Sequence, residues 1–276
     1  MPGARIDRFF DQLSQGARIA VRIAVVVAHP DDETIGIGGH LRRFADVRLV
    51  HLTQGAPDDP ADAQAAGLAG KHEYAAVRAA ELAAAMRFAG VAPDRCTGFG
   101  ITDQQACRQL ARSARRLAEF FAAWRTEIVL THPYEGGHPD HDAAAFAVHA
   151  AAALLRDRAA NAPDLVEMAF YHDGGPRLVT QRFPPDGAGG EICLALDEED
   201  WARKEKMIDC HRSQRAVLAL FRGRVERLRP APVYDFSEPA NGGRLFYERM
   251  PWHVTGRLWH KCAARALREL HLGPRL

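Results

Sequence analysis

The chain has 276 residues, 47% of them hydrophobic and 26% charged, which suits one large globular core with a smaller extension. Its 36 basic residues nearly cancel 35 acidic ones, so charge gives no argument for a nucleic-acid or membrane-surface partner. Five cysteines without a CxxC pair suggest neither a disulfide framework nor a cysteine zinc site, and a reducing cytoplasm fits best.

In chain order, the first apolar run, IAVRIAVVVA at 19–28, is interrupted by Arg22 and leads straight into HPDD. It reads as a strand, not a signal peptide or a membrane span. Strands are expected at 22–28, 47–53 and 127–131, and helices at 34–44, 72–89, 103–124 and 140–156. Gly90 is placed to end the second helix. This alternation is the pattern of βαβ units and predicts an α/β fold with a mainly parallel sheet. QGAPDDPADAQAAGLAG, at 54–70, is a long surface loop after a strand, either a lid over a ligand crevice or simply flexible. Further strands are expected at 165–172, 178–182 and 192–196, the last two forming a hairpin across FPPDGAGG. A helix over 198–221 follows, then an irregular stretch and a final amphipathic helix at 255–270. Residues 1–220 are therefore expected to form the main domain and 221–276 an extension packed on it. That extension carries 11 Lys/Arg against 5 Asp/Glu, a feature suited to an anionic partner or to a solvated helix face.

Two clusters carry chemistry. AHPDDE, at 28–33, ends the first strand, and one turn brings His29 and Asp32 to the same side, as metal ligands require. Asp31 and Glu33 are left over, so one carboxylate is available as a base beside the metal. The competing reading makes an aspartate a helix cap and His29 a polar strand end. HPDH, at 138–141, again follows an apolar strand and precedes a long helix. Pro139 suits the first helical position, making His138 the cap and setting His138 and His141 on one face. A packed, satisfied histidine pair is the alternative. Both clusters fall at the carboxyl ends of strands that a parallel sheet would set side by side, where ligands bind. His29, Asp32 and His141 then offer three N/O ligands and leave a position for water, the pattern of a catalytic zinc site. GIGG, at 36–39, lacks the dinucleotide spacing, and its glycines are expected to permit close helix-to-sheet packing. Of the remaining histidines, His132 is the best placed to line a pocket.

AHPDDE followed by HPDH resembles the PIG-L (LmbE-like) family of metal-dependent de-N-acetylases acting on N-acetylglucosamine conjugates. The resemblance runs from the first strand to about residue 157. It implies a Rossmann-like three-layer fold, a zinc-dependent amidohydrolase with iron(II) as another metal choice, and a small sugar-conjugate substrate. It also implies His29, Asp32 and His141 as metal ligands, Asp31 as general base, and His138 as the group polarising the oxyanion, held by Asp140. Either Asp31 or His138 would protonate the leaving amine. Softer matches assign Arg78, Asp103 and His211 to substrate binding, with Arg78 and Glu81 forming an R-x-x-E pattern and Lys204, His211, Ser213 and Gln214 echoing a K...H-x-S-Q segment. Some family members place a tyrosine two residues before the first histidine of HPDH, where this chain has Gly136; Tyr134 or Glu135 is then the candidate to reach in. No membrane span and no nucleic acid are expected, and a homo-oligomer is left open.

Overall fold

The computed structural model describes residues 2–158, 161–185 and 189–276. It opens with helix α1 (Pro2–Ser14), strand β1 (Ile19–Val27), helix α2 (Asp32–Ile37) and strand β2 (Phe44–Thr53). Helices α3 (Ala61–Ala65) and α4 (Lys71–Ala89) lead to β3 (Cys96–Ile101), α5 (Leu110–Trp124), β4 (Ile128–Thr131) and α6 (Pro139–Asp157). Strands β5 (Asp164–Met168), β6 (Tyr171–Asp173), β7 (Leu178–Thr180) and β8 (Ile192–Ala195) follow. Helices α7 (Glu198–Cys210) and α8 (Arg215–Leu218), strand β9 (Val225–Pro230) and helix α9 (Gly256–Leu270) complete the order.

Seven strands form one sheet in the order β3-β2-β1-β4-β5-β9-β8. The first five run parallel, and β9 and β8 join antiparallel. The alternation along β1 explains the layers: Ala24 and Val26 face the core shared with α5, α6 and α9, whereas Ile23, Val25 and Val27 face the core that holds residues of α1, α4 and α7. Burial on both faces accounts for the unbroken apolar run that follows Arg22. Strand order reverses at β1, whose two neighbours are β2 and β4. A crevice opens at the carboxyl ends of strands at such a reversal, so the turns after β1 and β4 meet there.

Several expected elements change. The helix expected at 34–44 is only six residues long, because Gly38 and Gly39 follow it and β2 begins at Phe44. Gly36 allows the close packing expected of GIGG: a Cβ there would stand 2.7 Å from the Met168 sulfur. The helix expected from 103 starts at Leu110, since Gln104 takes a positive φ and the preceding turn serves the site. The helix expected over 198–221 ends at Cys210, followed by short 3-10 and α turns.

No hairpin joins 178–182 to 192–196. Strand β7 pairs with β6 in a separate ribbon, and β8 pairs with β9 in the main sheet; residues 186–188 of the supposed turn lie outside the described residues. Strand β9 falls in the stretch expected to be irregular. Its charged sequence concealed it, because Glu226 and Arg229 are buried against Lys204 and Glu167. Strand β3 and helix α1 were not expected at all, although Ile6, Phe9, Phe10 and Leu13 repeat at helical spacing and are buried.

Candidate metal centre

Three segments converge at the crevice: the turn after β1, the turn into α6, and the loop after β3. Asp32 sits in the middle. Its Oδ2 accepts the His29 backbone N–H at 2.7 Å and lies 3.3 Å from His29 Nδ1 and from His132 Nε2. Its Oδ1 lies 3.3 Å from His141 Nε2. Three imidazoles thus surround one buried carboxylate; burial pushes its pKa up, but His141 and His132 hold it well below the usual range.

His29 turns its Nε2 to Asp103 at 3.1 Å and to Asp140 at 3.6 Å. Burial opposes its protonation, but these carboxylates together with Asp32 raise its pKa well above the ordinary value. Among the described residues, those with mutually close donor atoms form three groups: His29, His138 and His141; His29, Asp103, His138 and Asp140; and Asp32, His132 and His141. The expected trio is therefore divided between the first and third groups, which share His141, and His132 joins as a neighbour. His132 stacks on His141 at 4.0 Å and accepts the Ala28 N–H through Nε2. Burial first, and His141 next, lower its pKa to about 3.

These residues fit a divalent cation. Ligand bonds of about 2.1 Å in a tetrahedral site separate donors by roughly 3.4 Å, close to the 3.3 Å from Asp32 Oδ2 to His29 Nδ1 and, on its other oxygen, from Asp32 Oδ1 to His141 Nε2. Asp31, Asp32, Asp103 and Asp140 are all buried here beside one arginine, Arg78. Such an excess of buried carboxylate favours a bound cation.

Asp31 adopts φ 141°, ψ −23°, a conformation that L residues rarely take. Such strain costs roughly 1–3 kcal/mol and persists only where surrounding contacts over-determine it. They do. Arg78 Nη2 donates to Asp31 Oδ2 at 2.8 Å and to the Pro30 carbonyl at 2.9 Å, while Nη1 donates to the Gly55 carbonyl. Glu33 Oε2 accepts the Asp31 backbone N–H at 3.2 Å, with His51 at 3.0 Å on the same oxygen. Burial pushes the Asp31 carboxyl up to about 8 against the pull of Arg78.

The second half is built differently. His138 caps α6, its Nδ1 accepting the Asp140 backbone N–H at 3.1 Å, so the ring proton sits on Nε2. Burial and His29 keep this ring neutral, its pKa well below the ordinary value. The expected support of His138 by the Asp140 carboxylate is not found. That carboxylate accepts instead from the Gln104 and Ala106 N–H groups, at 2.6 and 3.0 Å. Asp142 Oδ1 accepts the Glu135 and Gly136 N–H groups and fixes the approach to HPDH.

Of the residues matched to substrate binding, Asp103 lies in the crevice beside His29, with its pKa lowered by His29, His138 and Arg78 against burial. Arg78 and His211 lie behind it. Arg78 clamps Asp31, and His211 is buried with its Nε2 3.4 Å from Thr34 Oγ1 and 4.0 Å from Glu33. The K...H-x-S-Q echo is likewise scaffold: Lys204 pairs with Glu226, Ser213 with Glu81, and Gln214 with Tyr74. Tyr134 points away into the C-terminal core, its ring 5.2 Å from Trp259, and Glu135 is buried and accepts the Tyr171 N–H. Two aromatic side chains border these histidines. Tyr171 lies edge-on to His141 at 5.3 Å, and Trp252 lies 4.5 Å from His138. Each comes from an element far along the chain, and no local spacing signals it.

Residues 24–152 match the family model described as PIG-L, GlcNAc-PI de-N-acetylase. A 1D-myo-inositol 2-acetamido-2-deoxy-alpha-D-glucopyranoside deacetylase of Mycobacterium sp. (strain KMS) is 35% identical over 147 residues, 45% of this chain and 48% of the relative. The aligned region thus spans about half that relative's length. A Corynebacterium glutamicum (strain R) protein of the same name is 28% identical over 250 residues, covering 80% and 83%. Among solved structures, the A40926 pseudoaglycone deacetylase superposes with a TM-score of 0.59 at 21% identity, over 77% of this chain and 97% of its own, which establishes the shared fold.

Proposed function

With a PIG-L family domain at residues 24–152, we propose that the protein hydrolyses the N-acetyl amide of an N-acetylated sugar or sugar conjugate, releasing acetate and a free amine. The observation that carries this reading is the buried Asp32 ringed by His29, His132 and His141, with the strained Asp31 next to it. The relatives' names support the acetamido-sugar class.

His29, Asp32 and His141 hold the cation, zinc or iron(II), whose identity is set by availability as well as by ligand type. When bound, it supplies Lewis acidity toward the acetyl carbonyl and acidifies water. Asp31 is the general base, its carboxylate aimed by Arg78 before substrate arrives, so little reorganisation is needed. The neutral His138 presents Nε2–H as a hydrogen-bond donor to the oxyanion that forms at the carbonyl. Asp103, 3.1 Å from His29 Nε2, orients that imidazole. The substrate is a small molecule, and no helix among the described residues is long and apolar enough to cross a membrane.

Acetate release from a panel of N-acetylglucosaminides tests the reading. Metal-loaded protein is expected to release acetate, to stop on chelation and to recover on adding zinc or iron(II). Metal-loaded protein that is inactive across the panel would refute it.

A further inference from the structure

Gly136, two residues before His138, is covered by a later segment of the chain, which leaves no room for a side chain. Its φ is +71°, and a Cβ there would lie 2.8 Å from Leu245 Cδ2 and 3.4 Å from the Arg244 carbonyl. The segment 244–254, outside the matched family domain, runs across this position. Leu245, Tyr247 and Val254 are buried and anchor it. The Phe246 N–H donates to the Gly136 carbonyl at 2.8 Å, Glu248 accepts the Gly256 N–H at 2.7 Å, and Arg249 pairs with Asp173 at 2.6 Å. The segment is thus tied at both ends and along its length, yet Trp252 remains partly exposed with its ring 4.5 Å from His138, tilted by 59°.

The reacting centre is almost sealed: His29, Asp31, Asp32, His138 and His141 are each between 2% and 7% exposed. An acetamido group is small enough to enter among them. The rest of the substrate must lie against what borders them, and beside His138 that border includes the partly exposed indole of Trp252. A pyranose ring presents C–H groups on its faces, which gain from burial and from the negative face of an aromatic ring.

We propose that Trp252 is the platform on which the pyranose ring of the substrate lies when its acetamido group is at His138, a specificity determinant supplied from outside the family domain. This rests on the acetamido-sugar reading above. Tyr171, edge-on to His141 and packed against Phe246 of the same segment, borders the centre on the His141 side.

The test compares two substrates with the same acetamide: a methyl N-acetylglucosaminide, which has the ring, and N-acetylethanolamine, which lacks it. The readout is the ratio of their kcat/KM values for acetate release by the metal-loaded full chain. Trp252→Leu keeps apolar bulk but removes the aromatic face, and it is expected to lower that ratio about tenfold, mainly through KM of the glucosaminide. Trp252→Phe keeps an aromatic face and is expected to restore most of the ratio. A purely structural role would lower both substrates together, so an unchanged ratio in Trp252→Leu overturns the platform. Wild-type protein that cleaves the acyclic amide but no N-acetyl pyranoside would instead overturn the acetamido-sugar reading.

Discussion

The turns after β1 and β4 deliver the two halves of one centre, but they are held in opposite ways. The turn into α6 is largely self-supporting: His138 caps its own helix, and Asp142, one turn further on, gathers the N–H groups of Glu135 and Gly136. The turn after β1 carries the strained Asp31 and relies on distant side chains, Arg78 from α4 and His51 from β2. Behind it, Glu226 of β9 accepts from the Gly39 N–H, His40 and the fully buried Lys204. The contrast is physical. A helix N-terminus supplies its own donors and caps, whereas an aspartate at φ 141° must be forced into place by groups fixed elsewhere.

The largest effects should separate the two halves by chemistry. Asp31→Asn is expected to retain metal, measured by elemental analysis, while lowering kcat by roughly 10²–10⁴-fold. His141→Ala should instead lose metal affinity by more than about 100-fold, exceeding what loss of an outer partner produces. If Asp31→Asn kept wild-type turnover, the base assignment would be wrong.

Arg78→Met probes the remote support directly. It leaves the Asp31 carboxyl and the Pro30 and Gly55 carbonyls without their buried donor and should destabilise the fold by about 2–4 kcal/mol in urea titration. The double variant with Asp31→Asn should lose less than the sum of the two single losses, since both changes break the same hydrogen bond. Additive effects would break the picture of Asp31 as held by Arg78.

Glu226 gives the pH signature of the same support. Burial raises its pKa, but Lys204 and His40 win and hold it down to about 2. A depressed acid contributes stability above its unfolded pKa, near 4.3, and loses it as pH falls toward the folded value. The stability gap between wild type and Glu226→Gln should therefore be on the order of a few kcal/mol at pH 7 and shrink between about pH 4.5 and 2. A gap independent of pH over that window would show that the ion pair is not its source.

The smallest effect is expected in the self-supporting half. An asparagine at 142 still offers an oxygen to the Glu135 and Gly136 N–H groups, so Asp142→Asn should shift stability by less than about 1 kcal/mol. A loss as large as that of Arg78→Met would erase the contrast between the turns.

The sequence by itself determined the α/β class, the parallel core strands and the pairing of AHPDDE with HPDH, because unbroken apolar runs, helix signals and metal-ligand spacing are local. Those two motifs meet because β1 and β4 pair directly. Local signals could not reveal β9, whose charges are buried against partners contributed by α7 and β5. Nor could they show that Glu33 accepts the Asp31 N–H, or that Arg78 faces Asp31. Only the tertiary structure decided these, together with the placing of Trp252 beside His138. A buried charge or a strained residue is stabilised by partners that the chain brings back from far along its length, and no spacing within a motif encodes where those partners will arrive.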